Sequence, residues 1–184
     1  MRYRQRQLAM AEAAMSYAAR GWPVAPAVEG AVPAVPRATT DPSTAAGWWK
    51  TFPRAAILLA TGGPVDALDV PASVGSAALT RLREVGLPVG PIATMRDRYL
   101  FLVAGGQRDR FMTHRERLGA PHLDIAYHGE GNVVLLPPSS WDGESARWEV
   151  CPDSCILSRG HSLPSAAELH GTIAYVALRE ALPT

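Results

Sequence analysis

The chain has 184 residues, of which 47% are hydrophobic and 19% charged, and a formal net charge of +1. That balance supplies a core for one domain of ordinary size and excludes a disordered chain. It also excludes an overall basic excess, so nucleic-acid binding would need a local patch. No apolar run approaches the ~20 residues of a membrane span, and two cysteines give no disulfide framework.

The first segment, residues 7–20, is rich in Ala, Met, Leu and Glu, with Leu8, Ala11, Met15 and Ala18 at helical spacing, and Gly21 ends it. The basic start at Arg2, Arg4 and Arg6 lacks the long apolar stretch of a signal peptide. It reads as a frayed end, with a short basic arm as the alternative, and a cytoplasmic location is the expectation. Residues 22–26 read as an edge strand and 27–38 as a Pro-rich loop. Asp41 or Ser43 caps a short helix through Trp48 and Trp49 that Pro53 closes. Tandem Trp beside apolar strands is a core signal before it is a base-stacking one.

Residues 55–60 and 65–70 read as strands around the Gly62-Gly63-Pro64 turn, and 73–85 as an amphipathic helix through Val74, Ala77, Leu79, Leu82 and Val85. Residues 91–94 and 98–104 are strand-like, and 107–118 a charged helix. Residues 122–127 and 132–136 flank a glycine-containing turn and suggest a hairpin. A last strand at 146–150 and a closing helix over 164–181, with Pro164 in its first turn, complete the order. The fold class is α/β in the α+β sense: a central mixed sheet with flanking helices in a single domain over 1–184.

The segment Arg96 to Arg117 holds Arg96, Arg98, Arg108, Arg110, Arg115 and Arg117, partly cancelled by Asp97, Asp109 and Glu116. It reads first as a solvated charged hairpin and helix, with a phosphate-binding patch as the alternative. Cys151, Cys155 and His161 have a C-x3-C-x5-H spacing that could begin a zinc site, to which His170 or His128 would have to add a fourth ligand. Two ordinary thiols in a loop is the simpler reading. His114 and His122 read as isolated surface histidines.

Taken in order, several strings resemble the N-terminal domain of the bifunctional DNA primase/polymerase family, within the archaeo-eukaryotic primase group, in a degenerate form of actinobacterial type. They are Tyr17 to Val24, Ala38 to Asp41, Trp48-Trp49, Thr61-Gly62, Leu68-Asp69-Val70 with Gly75 and Leu79, His128 to Ser139, and Trp148. The resemblance covers about residues 10–150 and rests on the ordered set, since no single string is specific. It implies a primase-like fold with an RRM-like core. It further implies two divalent cations held by an Asp-x-Asp strand and a third carboxylate, with a histidine near a glycine-rich turn on the incoming nucleotide.

Measured against that expectation, Asp69 matches the first carboxylate and the second falls on Pro71, which cannot bind a metal. Asp66 lies three residues before Asp69 and, on a strand, faces the other side. The third carboxylate falls on Ala126 in a gap-free alignment, whereas a two-residue insertion in the turn would bring Asp124 into register. The histidine position falls on Arg98. Arg96, Arg98 and His128 are therefore the candidate nucleotide- or phosphate-binding residues, and Asp69 and Asp124 the remnant metal ligands.

The resemblance thus implies a primase/polymerase-like domain whose catalytic site is degenerate and whose cleft is left for a nucleotide, nucleic acid or partner. Mg²⁺ or Mn²⁺ enters only if the site is active. The alternatives are an active nucleotidyltransferase with an atypical metal site and a regulatory protein-interaction module without a ligand. Single-stranded DNA, a nucleotide or a protein partner is expected, and no membrane.

Overall fold

The computed structural model describes residues 2–28, 37–118, 122–154 and 163–181. Along these the chain forms α1 (Arg2–Ala19), β1 (Val24–Ala27), α2 (Pro42–Thr51), β2 (Ala56–Ala60), β3 (Val65–Pro71), α3 (Ala72–Glu84), β4 (Ile92–Met95) and β5 (Arg98–Ala104). There follow α4 (Arg108–Arg117), β6 (Ala126–His128), β7 (Val133–Leu136), β8 (Ser140–Trp141), β9 (Glu144–Ser145), β10 (Arg147–Val150) and α5 (Ala166–Ala181). The α+β class expected from the sequence holds. Within it the ladders between the named strands are antiparallel, not mixed, and they divide into a five-stranded sheet β10-β4-β5-β3-β6, a three-stranded sheet β1-β2-β7 and the small hairpin β8-β9.

Strand alternation gives the five-stranded sheet two faces. Leu68 and Val70 of β3, with Phe101 and Val103 of β5, pack under α3, α4 and α5 against Leu79, Leu82, Phe111, Leu169 and Ile173. The other residues of the same strands, Val65, Ala67 and Leu102, join Met10, Ala14 and Tyr17 of α1, Trp49 of α2, and Ile57, Leu59, Val134 and Leu136 of the three-stranded sheet. This second face is packed at one end and opens into a cleft at the other. No helix among the described residues is long and apolar enough to cross a membrane.

Local chemistry explains several boundaries. Asp41 caps α2 by accepting from the Ser43 and Thr44 amides, with Pro42 in the first turn. Hydrogen bonds from the Thr44 and Ser43 hydroxyls, then those from the two amides, hold its carboxyl well below the usual carboxylate range. Trp49 is 1% exposed and donates its indole N–H to the Ala55 carbonyl, and Trp48 packs half-buried on the same cluster, as a tandem Trp in a core would. At Gly75, α3 passes so close to β5 that a Cβ would lie 2.4 Å from the Tyr99 ring.

Three details depart from the sequence reading. The backbone of α1 is helical from Arg2, and its buried stripe is Met10, Ala14, Tyr17 and Ala18, leaving Met15 exposed. Tyr17 sets that rotation: it stacks on Trp22, donates its hydroxyl to the Pro137 carbonyl and accepts from the Trp148 indole. Burial pushes its phenol up to about 12. Next, the amphipathic stripe of α3 runs through Val74, Ala78, Leu79 and Leu82, while Val85 is exposed beyond the helix. Finally, the expected hairpin between residues 122–127 and 132–136 does not form. The first ladder residue is Ala126, β6 pairs with β3, and β7 pairs with β2 in the other sheet. Residues 122–125 instead form a bend that inserts Leu123 and Ile125 into the helix-covered core and leaves Asp124 exposed.

Candidate functional site

A cleft of about 660 Å³ opens on the face of the five-stranded sheet away from α3, α4 and α5. Its floor includes Asp69 of β3, Ala93 and Met95 of β4, Arg98 and Leu100 of β5, and His128 of β6. One wall is Val133 to Leu135 of β7, and the rim carries Arg96, Trp141 and Asp142. The size lies within the usual range for small-molecule sites, as does the mixture of apolar wall and few polar groups.

Sheet register brings the polar floor together. Asp69 is paired across the ladders with Leu100 on one side and Ala126 on the other, while Arg98 pairs with Pro71 and His128 with Ala67. Residues two apart on a strand share a face, so Asp69, Arg98 and His128 converge although they are far apart in sequence. Arg98 Nε donates to Asp69 Oδ1 at 2.7 Å, and its Nη1 and Nη2 donate to Asp124 Oδ2 and Oδ1 at 2.6 and 3.2 Å. His128 Nε2 stands 3.3 Å from Asp69 Oδ2. Asp124 is not a cleft-lining residue and meets Arg98 with its side chain 67% exposed.

This arrangement is an arginine clamped between two carboxylates. Burial alone would raise the Asp69 carboxyl, but the hydrogen bonds from His128 and Arg98 and the Arg98 charge outweigh it and hold it below the usual range. The bidentate bond with Asp124, then Asp69, pushes the Arg98 guanidinium further up. Both oxygens of Asp69 are therefore engaged.

The two-cation set that the resemblance implies does not fit these side chains. Of its three carboxylate positions, Asp69 is engaged, Pro71 has no donor atom, and Ala126 lies directly opposite Asp69 with only a methyl group. The Arg98 guanidinium sits against Asp69 and Asp124, where a cation bridging them would have to lie. Among the described residues no group of three or more His, Cys, Asp or Glu side chains is placed to hold a metal ion. Mg²⁺ needs several oxygens in near-octahedral geometry, which this cluster does not offer.

The other candidate residues divide. Arg96, in the β4–β5 turn at φ 54°, lines the cleft, and its partner is Asp142 at 2.9 Å rather than the neighbouring Asp97. Asp66, as expected, faces away from Asp69. It is 1% exposed and accepts from the Gly62 and Gly106 amides and the Tyr127 hydroxyl. Cys151 is half-buried, with Sγ 4.0 Å from Asp153 Oδ2, and Cys155 and His161 lie outside the described residues. His170 is buried against Phe111 with Nδ1 3.1 Å from that of His114, so His114 is half-buried in a histidine pair and not isolated.

The strings that carried the resemblance hold backbone. Thr61 donates to the Gly129 carbonyl, the Ile57 amide donates to Ser139 Oγ, and Gly62, at φ 101°, passes 2.2 Å from Glu130 Cα if given a Cβ. The Thr61 and Gly62 contacts hold the turn that follows His128. Trp141 and Asp142 were not singled out from the sequence. Their signal was Asp142-Gly143, a two-residue hairpin turn in which both residues adopt positive φ.

The family model described as the N-terminal domain of bifunctional DNA primase/polymerase matches residues 14–165. No curated protein and no solved structure matches the chain.

Proposed function

The chain belongs to the bifunctional DNA primase/polymerase N-terminal family, and from that premise we propose that it is a catalytically silent member that keeps a nucleotide-sized cleft. Polymerisation in this family is expected to run through two cations that stabilise the attacking and leaving oxygens. The observation that carries the reading is the Arg98 guanidinium bound between Asp69 and Asp124. A fixed organic cation occupies the remnant carboxylates but has no open coordination positions for a phosphoryl oxygen and a nucleophile. Pro71 and Ala126 remove the ligands that would compete with it.

What remains is a cleft with a polar floor and an apolar wall, suited to a ligand with a flat ring and an anionic end. A reading as a protein-interaction module without a ligand draws on the net charge of +1, which gives little general attraction for DNA. A titration with single-stranded DNA at low and moderate salt separates that reading from nucleic-acid binding: phosphate-driven binding weakens steeply with salt, and none at low salt removes it.

The direct test is incorporation of labelled nucleotide on a primed template with Mg²⁺ or Mn²⁺. The expected result is no synthesis above that of the Asp69→Asn variant. Robust synthesis that depends on Asp69 would overturn the reading.

A further inference from the structure

Two arginines line the cleft and they are not equivalent. Arg98 has donors committed to Asp69 and Asp124, and two carboxylates surround its single charge. A phosphate approaching it meets a site already more than neutralised. Arg96 pairs with Asp142, and the side chains of the two are 51% and 79% exposed. An ion pair this exposed contributes little and is screened by salt, so either member can exchange its partner at small cost.

The location of that pair matters. Arg96 is at the tip of the β4–β5 turn and Asp142 at the tip of the β8–β9 hairpin, so the ion pair joins two turns across the cleft rim. The hairpin forms its described ladder only with itself. Trp141, adjacent to Asp142, is half-buried: it lines the cleft and, like Val133 and Leu135, packs against the cluster of Ala27, Ala56 and Leu58. Among the cleft-lining residues the charges are Arg96 and Arg98 against Asp69 and Asp142. A phosphate therefore gains a net cation only by displacing Asp142, since Asp69 is held by two groups.

We infer that Arg96 and Trp141 are the phosphate- and base-recognising pair of this cleft, and that Asp142 is a built-in competitor occupying Arg96 until a nucleotide arrives. The inference rests on the reading that the cleft holds a nucleotide. The ligand class is a nucleotide bound without a divalent cation: its base stacks on the indole, and its phosphate takes the Arg96 guanidinium from Asp142. Base stacking on an aromatic side chain tolerates every base, so the inference assigns no base preference.

The experiment is calorimetric titration of the full chain, in EDTA, with dATP, inorganic tripolyphosphate and deoxyadenosine. Asp142→Asn removes the competitor and suits its turn, because Asn tolerates positive φ. It should bind dATP and tripolyphosphate roughly two- to fivefold tighter, the worth of an exposed ion pair. Arg96→Gln should weaken both by about tenfold and leave deoxyadenosine unchanged. Trp141→Ala should weaken dATP and deoxyadenosine by about tenfold or more and leave tripolyphosphate unchanged. Circular dichroism and thermal melts of each variant check that it is folded, and the two exposed variants decide the matter even if the Trp141 variant is not. If the wild-type chain binds dATP and the Arg96 and Asp142 variants bind it equally well, this inference is wrong while the nucleotide cleft stands. If neither the wild-type chain nor Asp142→Asn binds dATP at millimolar concentration, the nucleotide reading fails and takes this one with it.

Discussion

The two faces of the five-stranded sheet carry two aspartates three residues apart on β3, and they show opposite treatments of one charge. On the helix-covered face, Asp66 is almost fully buried and held by two backbone amides and a phenol. Each of those donors would be costly to leave unmade, so the carboxylate ties the Gly62 turn, the Gly106 turn and β6 together. On the cleft face, Asp69 is partly exposed and bound by an arginine and a histidine. Nothing in the backbone depends on it. A carboxylate that holds main chain and one that holds only side chains thus sit three residues apart on one strand, and only the second can be exchanged without unpairing backbone donors.

The largest expected effect sharpens this contrast. Asp66→Ala strands three donors and should cost about 3 kcal/mol or more in urea unfolding, whereas Asp69→Ala leaves Arg98 with Asp124 and should cost about 1 kcal/mol or less. Equal losses would break the comparison. A similar loss to that of Asp66→Ala, about 2–3 kcal/mol, is expected of Gly62→Ala, because its φ of 101° disfavours any side chain and the added Cβ meets the Glu130 backbone.

The pH dependence should also separate the faces. Burial, with His114 and Arg115 adding to it, holds the His170 imidazole down to about 4, below its unfolded value near 6.5. The unfolded state then binds the extra proton first, so this stability is present above pH 6.5 and is lost as pH falls toward 4. The loss is up to about 3 kcal/mol. Thermal melts of the wild type and His170→Phe across pH 7 to 4 check it, and parallel curves would contradict it. Asp69 has the opposite position on the scale: its lowered carboxyl contributes stability above the ordinary carboxylate value and loses it only as pH falls through its folded value. The stability of an Asp69→Asn chain should therefore run parallel to that of the wild type between pH 7 and 5, offset by a constant of about 1 kcal/mol or less, the smallest effect of the set.

Much of the fold was legible because it is locally encoded. The Asp41 cap, the Gly62 turn, the alternation in β3 and β5 and the helical period of α3 each lie within a few residues. Strand partners were not legible in the same way. Residues 122–136 have the pattern of a hairpin, but alternation says which side chains share a face and not which strand lies alongside, and Leu123 and Ile125 were drawn into the helix-covered core instead. The site divides similarly. The positions Pro71, Ala126 and Arg98 came from aligning the strings with the family, and the structure sets Ala126 opposite Asp69 and Arg98 against it. The clamp on Arg98 could not be read this way, since its partners lie 29 and 26 residues away and depend on the sheet order. The Arg96–Asp142 pair, 46 residues apart, was hidden for the same reason.

The proposal that Arg98 stands where a metal ion would is open to a Mn²⁺ titration followed by electron paramagnetic resonance. The wild-type chain should show no Asp69-dependent Mn²⁺ binding. Binding should be gained in Arg98→Ala, where Asp69, Asp124 and His128 are released toward a common cation, and lost again in the Arg98→Ala, Asp69→Asn double variant. Micromolar Mn²⁺ binding by the wild-type chain that disappears in Asp69→Asn would contradict the proposal.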